Sequence, residues 1–303
     1  MKKIDLEHRS EILVTGATGL SGSLVIKEFI RQNIPVRALV RNLDKARQFE
    51  GNSIVEIVEG NMLKPETLHD ALQGVKKALV ISSAYEDMVK TQETFIDAAK
   101  AAGVPHLVKY SGAAAGIGFN NENFKPAIEH LKIEDYLIDS GLKWTIIRPS
   151  QFMQLYLPGT HSGVDLAEDA LILPIKNAME TPVAVEDVAK ACVALLTQEG
   201  HESRFYEMTG PDAMTMTNAC EIISDVIGRK ISYRDINFDD YRSRLTKLGF
   251  SSGGVELLTQ LSKERIKSIE SYVRMESHQR LGIRPTNFAE FIFRNRSAFQ
   301  LPV

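Results

Sequence analysis

The segment VTGATGLSG, Val14 to Gly22, carries three glycines at three-residue intervals, Gly16, Gly19 and Gly22. It lies between a run of apolar, mostly branched residues, Ile12 to Val14, and an amphipathic stretch that starts near Gly22. Strand, glycine turn and helix in that order let free amide N–H groups and the helix dipole meet a phosphate. The glycines allow unusual dihedrals and a close approach of backbone to pyrophosphate. The spacing is GxxGxxG rather than GxGxxG, in the context such a motif requires, and it predicts dinucleotide binding. Roughly 20 residues further on, NAD-binding chains place a carboxylate that accepts from the ribose 2′-hydroxyl. Here VRALVRNLDKA puts Arg41 at the strand end, Arg37 earlier in the strand and Lys45 just beyond. A guanidinium in that place suits a 2′-phosphate. NADP(H) is therefore the expected cofactor, with Arg41 as its selector and Lys45 as a helper.

A second candidate is the pair His130 and Glu134 in PAIEHLKIEDYLIDSG. Four residues apart, they share one helical face. The carboxylate is expected to favour the charged imidazole. A histidine beside a nicotinamide can hydrogen-bond the ribose or donate a proton near neutral pH.

These groups need a frame. ILVTG, VRALVR, VEIVEG, ALVISS, LVKYSG and WTIIRP read as strands, separated by helical patterns at Gly22 to Arg31, Pro65 to Leu72, Tyr85 to Ala102 and Pro126 to Ser140. Strands that barely alternate, each followed by a helix, predict an α/β fold: a Rossmann-type doubly wound parallel sheet covered on both faces. After RPSQF the pattern changes: an extended piece and a helix opened by Glu186 or Asp187, then strand, helix, strand and a charged helical tail. The expected division is a nucleotide-binding domain over 1–155 and a smaller C-terminal α/β lobe over 156–303, interleaved with the first. The substrate is expected in the cleft between them, with Phe119, Phe152, Met153 and Tyr156 as apolar walls. The loop GAAAGIGFNNENFKP reads equally as a lid or a surface connection.

Composition removes other classes. A net charge of −3, with 25% charged residues, shows no clustered Lys and Arg, so neither nucleic acid nor a membrane surface is an expected partner. No apolar run approaches the roughly 20 residues of a membrane span, and the N-terminus carries no signal core. A cytoplasmic protein with a small-molecule partner is the expectation. Cys192 and Cys220, far apart and inside apolar patterns, read as buried thiols, and no metal site is expected.

The pieces VTGATGLSG, ALVRN, IDAAKAAGVPHLVKYSG, HLKIEDYLIDSGLKWTIIRPSQFM, PVAVEDVA and YEMTGPDAMT run through most of residues 11–235. In that order and spacing they resemble the NmrA-like branch of the short-chain dehydrogenase/reductase superfamily. That branch includes triphenylmethane reductases, quinone reductases and NADP-sensing transcriptional co-regulators. The resemblance implies that Gly16, Thr18, Gly19, Leu20, Ser21 and Gly22 surround the pyrophosphate and that Arg41 faces the 2′-phosphate. It sets Asn61 and Met62 beside the adenine, where the family usually has Asp and an apolar residue. Ser82, Ser83, Pro149 and Ser150 would lie along the nicotinamide half. Ser111 matches the superfamily's catalytic serine by location. Conventional members carry a Tyr and, four residues on, a Lys. No Tyr here is followed by Lys at that spacing; Pro126 and His130 stand at those two positions.

The resemblance implies an NADPH-dependent oxidoreductase that transfers hydride to a small electron-poor acceptor such as a quinone or a cationic dye. The missing Tyr equally suits a catalytically silent NADP(H) sensor that regulates a protein partner, and it disfavours sugar-nucleotide epimerase chemistry. Oligomeric state is left open between monomer and homodimer.

Overall fold

The computed structural model describes residues 10–83, 87–112, 124–267 and 272–300. Its strands are β1 (Ile12–Val14), β2 (Val36–Val40), β3 (Val55–Glu59), β4 (Lys77–Val80), β5 (His106–Tyr110), β6 (Lys143–Pro149), β7 (Ala170–Leu173), β8 (Arg204–Met208) and β9 (Ser232–Asp235). The helices are α1 (Leu20–Arg31), α2 (His69–Leu72), α3 (Met88–Ala101), α4 (Lys125–Asp139), α5 (Val185–Thr197), α6 (Met216–Ile227), α7 (Phe238–Lys247), α8 (Ser252–Lys267), α9 (Glu276–Arg280) and α10 (Phe288–Arg294).

Seven strands form one sheet in the order β3-β2-β1-β4-β5-β6-β8. The ladders from β3 through β6 are parallel. Every residue of β2 and of β5 is buried, the mark of strands covered on both faces. This is the doubly wound α/β sheet that the strand and helix pattern predicts. Strand order reverses between β1 and β4, the switch point at which such sheets bind ligands. Thr15 stitches that point together: its Oγ1 donates to the Ile81 carbonyl and accepts from the Ile81 N–H, both at 2.7 Å. Phe95, Ile96 and Ala99 of α3 and Ile133 and Leu137 of α4 pack with Leu13, Val80 and Leu107 of the strands. α3 stops where AAGVP predicts, with Gly103 at φ +73°.

The chain divides into two compact units. The first holds the chain up to Gly112 together with Pro126–Arg148 and Val188–Tyr206. The second includes Pro149–Asp187 and the chain from Glu207 onward. Its core joins Tyr156, Leu171, Ile223, Phe288 and Phe291 around the parallel pair β7 and β9. Thr215 and Asn218 close α6 with a reciprocal capping box.

One local reading changes, and one strand is added. Pro65 to Leu72 is a 3₁₀ turn followed by the four-residue α2 rather than one helix. ALIL, too short to stand out by pattern, pairs with β9 as β7. Cys192 and Cys220 are buried free thiols. Among the described residues no helix is long and apolar enough to cross a membrane, and no His, Cys, Asp and Glu cluster could hold a metal ion.

Candidate active site

The turn between β1 and α1 is built so that only glycine fits at two of its three marked positions. Gly16 has φ +59°, and a Cβ there would lie 2.9 Å from the Ile81 carbonyl oxygen. A Cβ at Gly22 would lie 2.1 Å from the Gly16 carbonyl oxygen. Gly19 differs: its φ is −80° and a Cβ would meet only the Gly16 oxygen, at an ordinary 3.4 Å. Gly19 is the N-cap of the 12-residue α1, which has no side-chain cap and no acidic residue in its first turn. Gly19 and Leu20 are exposed, and Thr18 and Ser21 are half-buried. An uncapped, uncharged helix start behind a glycine turn suits a pyrophosphate, so the chain fits the dinucleotide its sequence implies.

The two arginines of the second strand separate by environment. Arg37 is fully buried and donates to Glu56 at 2.9 Å and to the Gln73 carbonyl at 3.0 Å, which makes it a structural cation. Arg41, just past β2, is exposed and forms no ion pair among the described residues. Lys45 is likewise exposed, in the turn of 3₁₀ helix that follows. Asn61 Oδ1 accepts from the Leu63 N–H at 3.0 Å, so its side chain first shapes the loop after β3. Met62 packs in the core with Leu68 and Leu72.

A polar chain crosses the first unit near the carboxyl ends of β4 and β5. Gln92 of α3 donates to Ser82 Oγ at 2.8 Å and accepts from Lys109 Nζ at 3.0 Å. The same Nζ stands 3.2 Å from His130 Nδ1. Ser83, next to Ser82, is exposed. Burial, partly offset by Glu134, brings the Lys109 ammonium down to about 7. Burial first, then the Lys109 and Arg148 cations, hold His130 well below the usual histidine value.

This corrects the expected imidazolium. Glu134 does not serve His130; Arg148 takes both of its oxygens and Ser111 Oγ donates to Oε1. A two-pronged guanidinium outcompetes an imidazole for a carboxylate. Its side chain spent on Arg148, Glu134 leaves His130 facing a lysine, and the ring is neutral. Arg148 also lies over Phe205, 4.4 Å from the ring centre.

The remaining candidates lie in the second unit. Ser150 donates to the Thr181 carbonyl at 2.6 Å, and its own N–H bonds Met208 O. Pro149 before it is buried at the end of β6. Met153 and Tyr156 are packed into the core of that unit, and the Tyr156 hydroxyl donates to Glu180 at 3.0 Å. Phe152 is half-buried and bridges Val183. Phe119 and the loop around it lie outside the described residues. Sequence reasoning passed over Lys109, Gln92 and Arg148. One signal was available: a lysine inside the apolar strand HLVKY, where a buried charge is rare without a reason.

Residues 16–199 match a family described as NAD(P)H-binding. The chain is 30% identical to an NAD(P)H azoreductase of Xenophilus azovorans, over 82% of this chain and 85% of that protein. It is 28% identical to quinone oxidoreductase 2 of Escherichia coli, with the same shares covered. Among solved structures, an NADPH-dependent quinone oxidoreductase from Escherichia coli complexed with NADPH superposes with a TM-score of 0.82 at 26% identity, over 94% of this chain and 99% of that one. A Citrobacter sp. triphenylmethane reductase complexed with NADP(H) gives 0.83 at 25% identity, with the same shares.

Proposed function

The chain belongs to the NAD(P)H-binding family and is an NAD(P)H-dependent reductase, and on that premise we propose that it passes hydride from NADPH to a small electron-poor acceptor, a quinone or a cationic dye. The bound cofactor supplies the hydride; the protein supplies binding and orientation. The observation that carries the reading is a neutral His130 in a site with no Tyr and Lys pair. A neutral imidazole is a far weaker acid than a tyrosine, so it gives less help to a simple ketone, whose alkoxide must be protonated as it forms. Electron-poor acceptors need less acid help than a ketone, because hydride neutralises the charge of a cationic dye and gives a stabilised anion from a quinone. Azo, quinone and triphenylmethane acceptors, after which the relatives are called, share that demand.

In this reading the amides of the glycine turn, from Gly16 through Gly22, hold the pyrophosphate, and Arg41 with Lys45 meets the 2′-phosphate. The Asn61 amide group and the backbone at Met62 border the adenine. Ser82 and Ser83 flank the nicotinamide half, and His130 contacts the ribose or the acceptor. Ser111 braces Glu134 and Arg148 rather than transferring a proton, since its only hydroxyl hydrogen already points at a carboxylate.

The deciding experiment is single-turnover NADPH oxidation with a panel of quinones and cationic dyes, with binding followed by NADPH fluorescence. Rapid acceptor-dependent oxidation is expected. Tight binding without oxidation by any acceptor sinks the reading in favour of an NADP(H) sensor. Two variants refine it. Gly19→Val has room in the protein and obstructs only the ligand side, so it should abolish NADPH binding while circular dichroism stays unchanged. His130→Ala should lower kcat by ~100-fold with NADPH affinity intact.

A further inference from the structure

Among the described residues Lys109 is a buried cation with no carboxylate of its own. Its side chain is 1% exposed. The groups that face it are neutral Gln92 from α3, His130 and Glu134 from α4, and Arg148 from β6, the last two engaged with each other. That environment makes the two nitrogens of His130 unequal. An ammonium has three donors and no acceptor, so while Lys109 is charged Nδ1 must accept, and the single proton of the ring sits on Nε2. Nε2 is also the nitrogen beside Gly112, where a Cβ would come to 3.4 Å. Gly112, two residues past β5, sets that nitrogen at the carboxyl end of the strands, where α/β sheets meet their ligands.

From this geometry we propose that Lys109 is a proton-relay residue acting through His130: its ammonium holds the imidazole as an Nε2–H donor and refills Nδ1 when Nε2 releases its proton. The inference rests on the reductase reading above. In the reaction the acceptor takes hydride, with its electron pair, from NADPH, which leaves as NADP⁺. The acceptor atom that gains negative charge bonds the Nε2 proton. As that N–H bond breaks, Nδ1 takes a proton from Lys109, and the ring remains neutral throughout. Lys109 ends as a neutral amine, and the cycle closes when Nε2 takes a proton from water and Nδ1 returns its own to Lys109. Hydride and proton together complete a two-electron reduction.

A lysine in this role must give up its proton near working pH, and burial has moved Lys109 there, to about 7. The relay explains how a ring held neutral still donates. Lys109 is a positioning residue in this scheme, and His130 is the group that touches the acceptor.

Nitrogen-15 NMR of the cofactor-free protein tests the coupling, with His130 assigned by difference against His130→Gln. Between about pH 6 and about pH 9 the wild-type Nδ1 and Nε2 shifts should change together, as the Nε2–H form gives way to the Nδ1–H form without an imidazolium. In Lys109→Met that transition should vanish. Flat wild-type shifts, or a transition that survives Lys109→Met, overturn the relay; the wild-type titration decides even where the methionine variant does not fold. A turnover arm separates this inference from the one beneath it. Lys109→Met should lower kcat for a quinone ~100-fold more than for a cationic dye, with the NADPH Kd unchanged. Equal losses overturn the relay and leave the reductase reading standing. Wild-type protein that oxidises NADPH with neither acceptor overturns the reductase reading, and the NMR titration still decides whether Lys109 sets the His130 proton.

Discussion

Lys109 in the first unit and Arg265 in the second are both deeply buried cations, and the two are treated in opposite ways. In the second unit Arg265, 3% exposed, is held by both oxygens of Glu180, and the Tyr156 hydroxyl donates to the same carboxylate. The Arg265 charge has its counter-charge in Glu180, and Arg265 is pushed further toward the charged form, Glu180 prevailing over burial. In the first unit Lys109 is as deeply buried, yet its two bonded partners, Gln92 and His130, are neutral. The carboxylate whose charge reaches it, Glu134, is bonded to Arg148. A compensated buried cation fixes structure; an uncompensated one is left ready to lose its proton. Arg37 and Arg41 repeat the contrast within one strand and its end, the first paired inside, the second exposed and without an ion pair among the described residues.

The largest test of this contrast is Glu180→Gln. It strands the Arg265 charge in the core and should cost about 3–5 kcal/mol in urea unfolding, the range for breaking a buried pair. A cost below about 1 kcal/mol would mean that Arg265 is not held by charge. Next is Lys109→Met, read as stability against pH. The folded pKa of Lys109 lies below its unfolded value of roughly 10.4, so between about pH 7 and that value the unfolded chain binds more protons. Wild-type stability therefore rises with pH in this window relative to Lys109→Met, by at most about 1.4 kcal/mol per pH unit, and the two run parallel below it. Parallel curves throughout would place Lys109 among ordinary lysines. The smallest effect concerns Arg41→Asp, which should weaken NADPH binding at least tenfold more than NADH binding, the worth of roughly one charged hydrogen bond. Equal weakening of both would return Arg41 to the solvated surface.

Much of the first unit was legible because its information is local. A β1–turn–α1 segment declares itself within a dozen or so residues: the turn needs glycine where Gly16 takes a positive φ and where Gly22 meets the Gly16 oxygen. The place of Arg41 just past β2 was equally readable, since it depends only on where that strand ends. The second unit was harder. β7 is four residues long and is a strand only because β9, far along the chain, pairs with it. Met153 and Tyr156 look in sequence like the walls of a pocket, and only packing makes them core.

The sequence by itself determined the parallel sheet, the glycine turn, the cation at the end of β2 and a histidine one helical turn from a carboxylate. These follow from short-range patterns of apolar, flexible and charged residues. Tertiary structure alone decided what that histidine is. Glu134, one helical turn from His130, was the obvious partner, and β6 supplied Arg148 to take it away, while β5 supplied Lys109 in its place. Which charges meet in a low-dielectric interior depends on which strands lie side by side, and spacing along one helix cannot disclose that.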